Sequence, residues 1–262
     1  MGKECCMNLL FLGDVVGSAG CEAVQRFLPQ LKRQYAADLT IVNGENSADG
    51  NGIHRPSAQA LLDAGADLIT TGNHVLRRAE IYDWLDQPDC PVLRPANMHP
   101  TTPGRGMAVL DFLRYQVAVI NLMGNAYMDY CGNLFDTADT LLEQISAPVI
   151  VVDLHGEATS EKLAMAHYLD GRVSLLVGTH THVQTADEQI FPHGTGYITD
   201  LGMCGPVNSV LGIKPELAIR KMRGNLPVRF ENAPNPACVS GIAAAIDEKT
   251  GKTIKIARVF MK

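Results

Sequence analysis

The chain has 262 residues, 46% of them hydrophobic and 19% charged, the composition of a soluble globular protein with room for a large core. A formal net charge of -6 excludes a surface built to grip long polyanions, which needs clustered Lys and Arg, and no stretch reaches the ~18 apolar residues of a membrane span. Seven cysteines without a Cys-x-x-Cys pair point to reduced thiols, and the apolar start is too short for a signal peptide, so the expected location is the cytoplasm.

Residues 1–6 are expected to form a disordered N-terminal extension of a single α/β domain spanning 1–262. The run from Asn8 to Leu12 ends in Gly13-Asp14-Val15-Val16-Gly17 and reads as a buried strand entering a tight loop. Helical spacing follows over 21–35, with Pro29 expected to kink or end its first part. A second apolar run, Asp38 to Val42, ends in Asn43-Gly44-Glu45-Asn46, and a third, Ala66 to Thr70, ends in Thr71-Gly72-Asn73-His74. Between them Ser57 is the expected cap of a helix that stops at Gly65.

After a short helix at 78–85, the proline-rich stretch 87–106 reads as a surface excursion. Strands at 107–112 and 116–122 should pair antiparallel, and Asp136 is the expected cap of a helix over 136–145. Pro148 to Leu154 reads as a fully apolar strand ending at His155; Ser160 is expected to cap the helix 161–169. The apolar run Leu175 to Val177 then breaks at Gly178-Thr179 into His180-Thr181-His182. Beyond it come a short strand at 196–202, a helix at 215–222, and a closing hairpin of 238–246 with 253–260.

Asp14, Glu45, Asn46, Asn73, His74, His155, His180 and His182 all follow apolar strands. In mainly parallel sheets such ends converge on one edge, where open α/β folds bind ligands. Taken one at a time they have blander explanations: Asp14 as a helix cap, Asn46 and Asn73 in left-handed turns, His155 as a hydrogen-bonded strand end. Five strand ends with the same chemistry favour a shared site. Mixed oxygen and nitrogen donors without thiolate suit Mn, Fe, Zn or Ni rather than Ca or Mg alone. So many ligands fit two ions about 3.5–4 Å apart that share a carboxylate, and Glu45 has the reach to bridge. On an extended segment alternate residues point to different sides, so His180 and His182 are expected to meet different ions. His54, His99, His167 and His193 read as surface or loop residues, and Cys204, without a paired base, as a packing residue.

The stretches Gly13 to Gly17, Asn43 to Asn46, Thr71 to His74, His155-Gly156-Glu157-Ala158-Thr159-Ser160-Glu161-Lys162, Gly178 to Asp187 and Asp200-Leu201-Gly202-Met203 closely resemble the YmdB-type branch of the calcineurin-like metallophosphoesterases, from about Leu9 to the last strand. The resemblance implies a four-layer α/β/β/α sandwich with a binuclear centre of iron or manganese, and phosphodiesterase activity on cyclic nucleotides, notably 2′,3′-cyclic AMP. Position by position it assigns Asp14, Asn46 and His182 to one ion, Asn73, His155 and His180 to the other, Glu45 to both, and the proton donor to His74. The broader superfamily usually has a histidine where this chain has Val16, and many relatives carry an arginine and an aromatic where it has Asn125 and Leu76.

The reaction expected from this set is in-line attack of a metal-bridging hydroxide on a small phosphodiester, with His74 protonating the leaving ribose oxygen. Two other readings stay open: a regulatory nucleotide- or protein-binding protein with a metal sensor site, and a phosphomonoesterase or nucleotidase. A homo-oligomer is compatible with the sequence, whereas a membrane partner or a strong nucleic-acid surface is not expected.

Overall fold

A computed structural model describes residues 6–234 and 236–262. In chain order the strands are β1 Cys6–Leu12, β2 Asp14–Val15, β3 Leu39–Asn43, β4 Leu68–Thr70, β5 Met107–Asp111, β6 Gln116–Met123, β7 Val149–His155, β8 Leu175–Thr179, β9 Gln189–Ile190, β10 Gly196–Ile198, β11 Met203–Pro206, β12 Ala237–Asp247 and β13 Thr253–Met261. The helices are α1 Gly17–Tyr35, α2 Arg55–Asp63, α3 Tyr82–Leu85, α4 Leu134–Leu142, α5 Thr159–Leu169 and α6 Pro215–Gly224. Of the expected N-terminal extension, residues 1–5 lie outside the described residues, while Cys6 opens β1 and pairs with Asp247.

Two sheets stack face to face with helices on their outer faces, the expected four-layer arrangement. The first runs β2-β11-β12-β1-β3-β4, with β13 also paired to β12, and the second runs β5-β6-β7-β8-β10-β9. Their central members β1, β3 and β4, and β6, β7, β8 and β10, are parallel, so the ends of these strands open on one edge. Period-two alternation explains the layering. Met7, Leu9 and Phe11 of β1 meet Val117 and Val119 of β6 and Val149 and Val151 of β7 between the sheets, whereas Leu10 and Leu12 turn out to Val24, Leu28 and Leu31 of α1. On the far side Ile120, Leu122, Val152 and Leu154 pack on Met165 and Leu169 of α5.

Several local expectations are corrected. Helix α1 begins at Gly17 and runs unbroken through Pro29, because its buried stripe of Val24, Phe27, Leu28 and Leu31 holds both halves on the sheet despite the missing amide donor. The cap of α2 is His54, whose ring accepts from the Ser57 amide while the Ser57 hydroxyl bonds back, so Ser57 is the third helical residue of a reciprocal box. Asn133, not Asp136, caps α4. Helix α5 starts at Thr159 without a side-chain cap. The expected antiparallel pairs β5 with β6 and β12 with β13 are present. Among the described residues no helix is long and apolar enough to cross a membrane.

Candidate metal centre

At the open edge of the paired sheets the eight residues singled out from the sequence lie together. Asp14 and Glu45 are fully buried, and Asp14 caps no helix; its Oδ2 accepts the amide of His180 at 3.1 Å. Glu45 Oε2 is 3.3 Å from His155 Nε2 and accepts the His74 amide at 3.1 Å. Asn73 Oδ1 lies 3.0 Å from the same His155 nitrogen, and so does Nδ1 of His180. His182 Nε2 is 4.0 Å from Asp14 Oδ1 and 3.4 Å from Asn46 Nδ2. His74 Nδ1 is 2.9 Å from Asn46 Oδ1 and 3.3 Å from Glu45 Oε1.

His180 and His182 are held from behind, and that decides where their lone pairs point. His182 Nδ1 lies 3.0 Å from the Leu211 carbonyl, and His180 Nε2 lies 3.1 Å from the Glu157 carboxylate; both partners only accept, so these nitrogens carry the protons. In the neutral rings the inner nitrogens of His180 and His182 are then the lone pairs aimed into the cluster. Around His155 Nε2 three acceptors, Asn73 Oδ1, His180 Nδ1 and Glu45 Oε2, converge without a donor among them, more than one ring proton could satisfy. Asp14 Oδ1 is buried with no hydrogen-bond partner. A buried group of this kind is costly unless a cation satisfies it, so the residues fit a metal centre. Two overlapping sets have the spacing to hold an ion, Glu45 with His155 and His180, and Asp14 with Glu45 and His182, and Glu45 belongs to both.

The charge states of His155, His180 and Glu45 agree with ligation. Burial drives His155 down to about 3 and lowers His180, so both rings are neutral near pH 7 with a lone pair to give. Burial, then Glu45 and Asp200, lifts Asp14 well above the usual carboxylate range. Burial also pushes Glu45 up, but His155 and the hydrogen bonds of His74 outweigh it, leaving its carboxyl below that range.

The histidine segment is not extended, contrary to expectation. His180 has φ 103° and His182 φ 64°, left-handed conformations that cost roughly 1–3 kcal/mol each in non-glycine residues. Strand β8 stops at Thr179 because Asp14 Oδ2 and Asp200 Oδ2 take the amides of His180 and Thr181, at 3.1 Å each, in place of a neighbouring strand. The two rings are separated by this turn rather than by strand alternation. Gly72 has a related function: a Cβ there would lie 2.2 Å from the His155 ring, so only glycine lets the loop after β4 lie against it.

Sequence reasoning missed a layer of supports. Asn43, Thr70, Asp153 and Thr179 occupy the inward-facing position one step beyond Ile41, Leu68, Val151 and Val177, the last apolar inward residues of β3, β4, β7 and β8. Asp153 accepts from Thr70 at 2.5 Å, Thr179 at 2.7 Å and Asn43 at 2.9 Å, and burial pushes its carboxyl up to about 6 against those bonds. A carboxylate inside a run read as fully apolar was the available signal. Glu161 fastens the amides of Asn125 and Ala126, at 3.0 and 3.3 Å, and Asn125 closes its own loop on Cys131 and Gly132. Cys204 is buried, burial pushes its thiol up, and it donates to the Ser240 carbonyl at 3.5 Å, as expected of a packing residue.

Above the cluster opens a cavity of about 280 Å³ walled by Val16, Leu211, Ile213 and Phe230, with Asn51, Asn232, His74, Glu157, His180 and His182 also lining it. Paired sheets sandwiched by helices, with carboxylate, carboxamide and imidazole donors converging on the strand ends, define a protein of the metallophosphoesterase class. The model of the YmdB-like protein family matches residues 10–259, and the chain belongs to that family. It is 45% identical over 258 residues to a 2′,3′-cyclic-nucleotide 2′-phosphodiesterase of Bacillus subtilis (strain 168), covering 97% of each chain. The crystal structure of a hypothetical protein from Thermus thermophilus superposes with TM-score 0.91 at 39% identity, over 97% of this chain and 99% of that one. That of a phosphatase from Mycoplasma pneumoniae superposes with TM-score 0.93 at 34% identity, over 99% and 94%.

Proposed function

We propose that this chain is a cytoplasmic, single-domain phosphodiesterase that uses two metal ions, iron or manganese, to hydrolyse 2′,3′-cyclic nucleotides. The observation that carries the metal part is the convergence of His155 Nε2, His180 Nδ1, Asn73 Oδ1 and Glu45 Oε2 beside the unpartnered Asp14 Oδ1. The 2′,3′-cyclic substrate is carried over from the Bacillus subtilis relative, which is 45% identical over 97% of this chain.

Asp14, Asn46 and His182 would hold one ion, Asn73, His155 and His180 the other, and Glu45 both, consistent with the two overlapping sets. When bound, such ions neutralise charge on phosphoryl oxygens and lower the pKa of water towards ~7. The Asn46 carboxamide now turns Nδ2 to Glu45 Oε1, 2.5 Å away, and Oδ1 to His74. Ligation requires it to exchange its oxygen and nitrogen, a rotation that would present an N–H to His74 Nδ1 and place the ring proton on Nε2. His74 lines the cavity with its Nδ1 engaged, which leaves Nε2 to protonate the departing ribose oxygen. Phe230, Leu211 and Ile213 offer an apolar wall for a base, with Asn51 and Asn232 to meet its polar edge.

Elemental analysis of purified protein, followed by assays with added Mn on 2′,3′-cyclic AMP, a nitrophenyl phosphate and its bis ester, tests this reading. Two ions per chain and preference for the diesters are expected. Metal-free protein, hydrolysis of the monoester alone, or nucleotide binding without turnover would each overturn it.

A further inference from the structure

His155 Nδ1 lies 3.0 Å from Thr179 Oγ1, and Thr179 Oγ1 lies 2.7 Å from Asp153 Oδ1. All three side chains are completely buried, away from bulk solvent. Asp153 takes its other contacts from the Thr70 hydroxyl and the Asn43 amide, both donors, and in ionised form it can only accept. The single hydroxyl proton of Thr179 is therefore directed to Asp153. Its oxygen then has only lone pairs left for the histidine, so His155 must donate from Nδ1. Asp14 Oδ1, 3.8 Å from the same nitrogen, is too distant to compete.

We propose that Asp153 and Thr179 are positioning residues that fix the His155 tautomer through the relay Nδ1–H to hydroxyl to carboxylate, keeping Nε2 as a lone pair aimed at Glu45 and His180. The inference rests on the reading of His155 as a metal ligand. Outer partners of this kind typically tune metal affinity by about 10–100-fold. The same carboxylate also ties the ends of β3, β4 and β8, which lead directly into Glu45, Asn73 and His180. A single buried anion thus orients one ligand ring and aligns the strands that deliver the other ligands.

The test pairs nitrogen NMR of histidine-labelled, metal-free protein with titration by Mn²⁺. In the wild type, His155 should show a protonated Nδ1 and a bare Nε2; a protonated Nε2 overturns the relay without recourse to any variant. Thr179→Val keeps the shape and removes the acceptor, so a population protonated at Nε2 should appear and the Mn²⁺ dissociation constant should rise about 10–100-fold. Thr179→Ser should restore both readouts. Unchanged tautomer and affinity in the valine variant, or a serine variant no better than valine, would overturn the proposal. Wild-type protein that binds no Mn²⁺ would refute the metal reading itself. Intact relay and metal binding without turnover of cyclic nucleotides would leave the inference standing and remove only the substrate assignment.

Discussion

The ammonium of Lys162 on α5 meets the carboxylate of Asp200 at 2.9 Å, and neither residue has any solvent exposure. Lys162 also donates to the Thr179 carbonyl at 2.8 Å, while Asp200 accepts the amides of Thr181 at 3.1 Å and Gly202 at 2.9 Å. The pair thus clamps both sides of the strained turn that carries His180 and His182. Lys162→Met would leave a buried carboxylate without its counter-ion, and a loss of about 3–5 kcal/mol in urea unfolding is expected. A loss below ~1 kcal/mol would show that the pair does not hold the turn.

His74→Ala should retain its metal and lose about 10²–10⁴-fold in turnover of a cyclic nucleotide, whose ribose oxygen leaves poorly without a proton. The bis-nitrophenyl ester, with a good leaving group, should suffer much less. Equal effects on both substrates would remove the proton-donor assignment.

Glu45→Gln should lower metal content from two ions per chain to one, since the carboxylate common to both sets loses a charged oxygen. Elemental analysis of dialysed protein decides it; two retained ions would mean that Glu45 does not bridge.

Phe230 lines the cavity beside Leu211 and Ile213. Removing a base-stacking ring costs about 1–3 kcal/mol, so Phe230→Ala should raise KM for 2′,3′-cyclic AMP roughly 5- to 150-fold. A cyclic phosphate of glycerol, which has no base, should be hydrolysed as before. A matching loss on the glycerol compound would place the effect elsewhere.

Removing metal should lower the thermal midpoint, because the buried Asp14 carboxyl and the facing lone pairs of His155 and His180 then lose the charge that reconciles them. Saturating Mn²⁺ at 100 times its dissociation constant adds about 2.7 kcal/mol by mass action. Calorimetry with chelator and with Mn²⁺ should show that separation, and coincident midpoints would contradict it.

Much of the molecule was legible in the residue order. Apolar runs of strand length punctuated by glycine located β1, β3, β4, β7 and β8, because a buried strand has few alternatives for such a run. The set of residues that gathers at the candidate site was legible as well, since Asp14, Glu45, Asn46, Asn73, His74, His155, His180 and His182 follow those runs directly. Helix starts were less so: the ring of His54 and the amide of Asn133 cap where serine and aspartate stood nearby, and several polar residues in one stretch compete for a single geometric position.

The order of residues by itself determined the two-residue alternation that builds the layers and the donor types carried to the open edge, both local properties of the backbone. Tertiary structure alone decided which nitrogen of each ring faces inward, where the chain turns left-handed at His180 and His182, and that Asp153 anchors the site. These depend on partners far along the chain, such as Asn43 and Asp153, 110 positions apart, or Asp14 and His180, 166 apart. A hydrogen bond fixes proton position and backbone direction only where its partner stands, and folding brings those partners together.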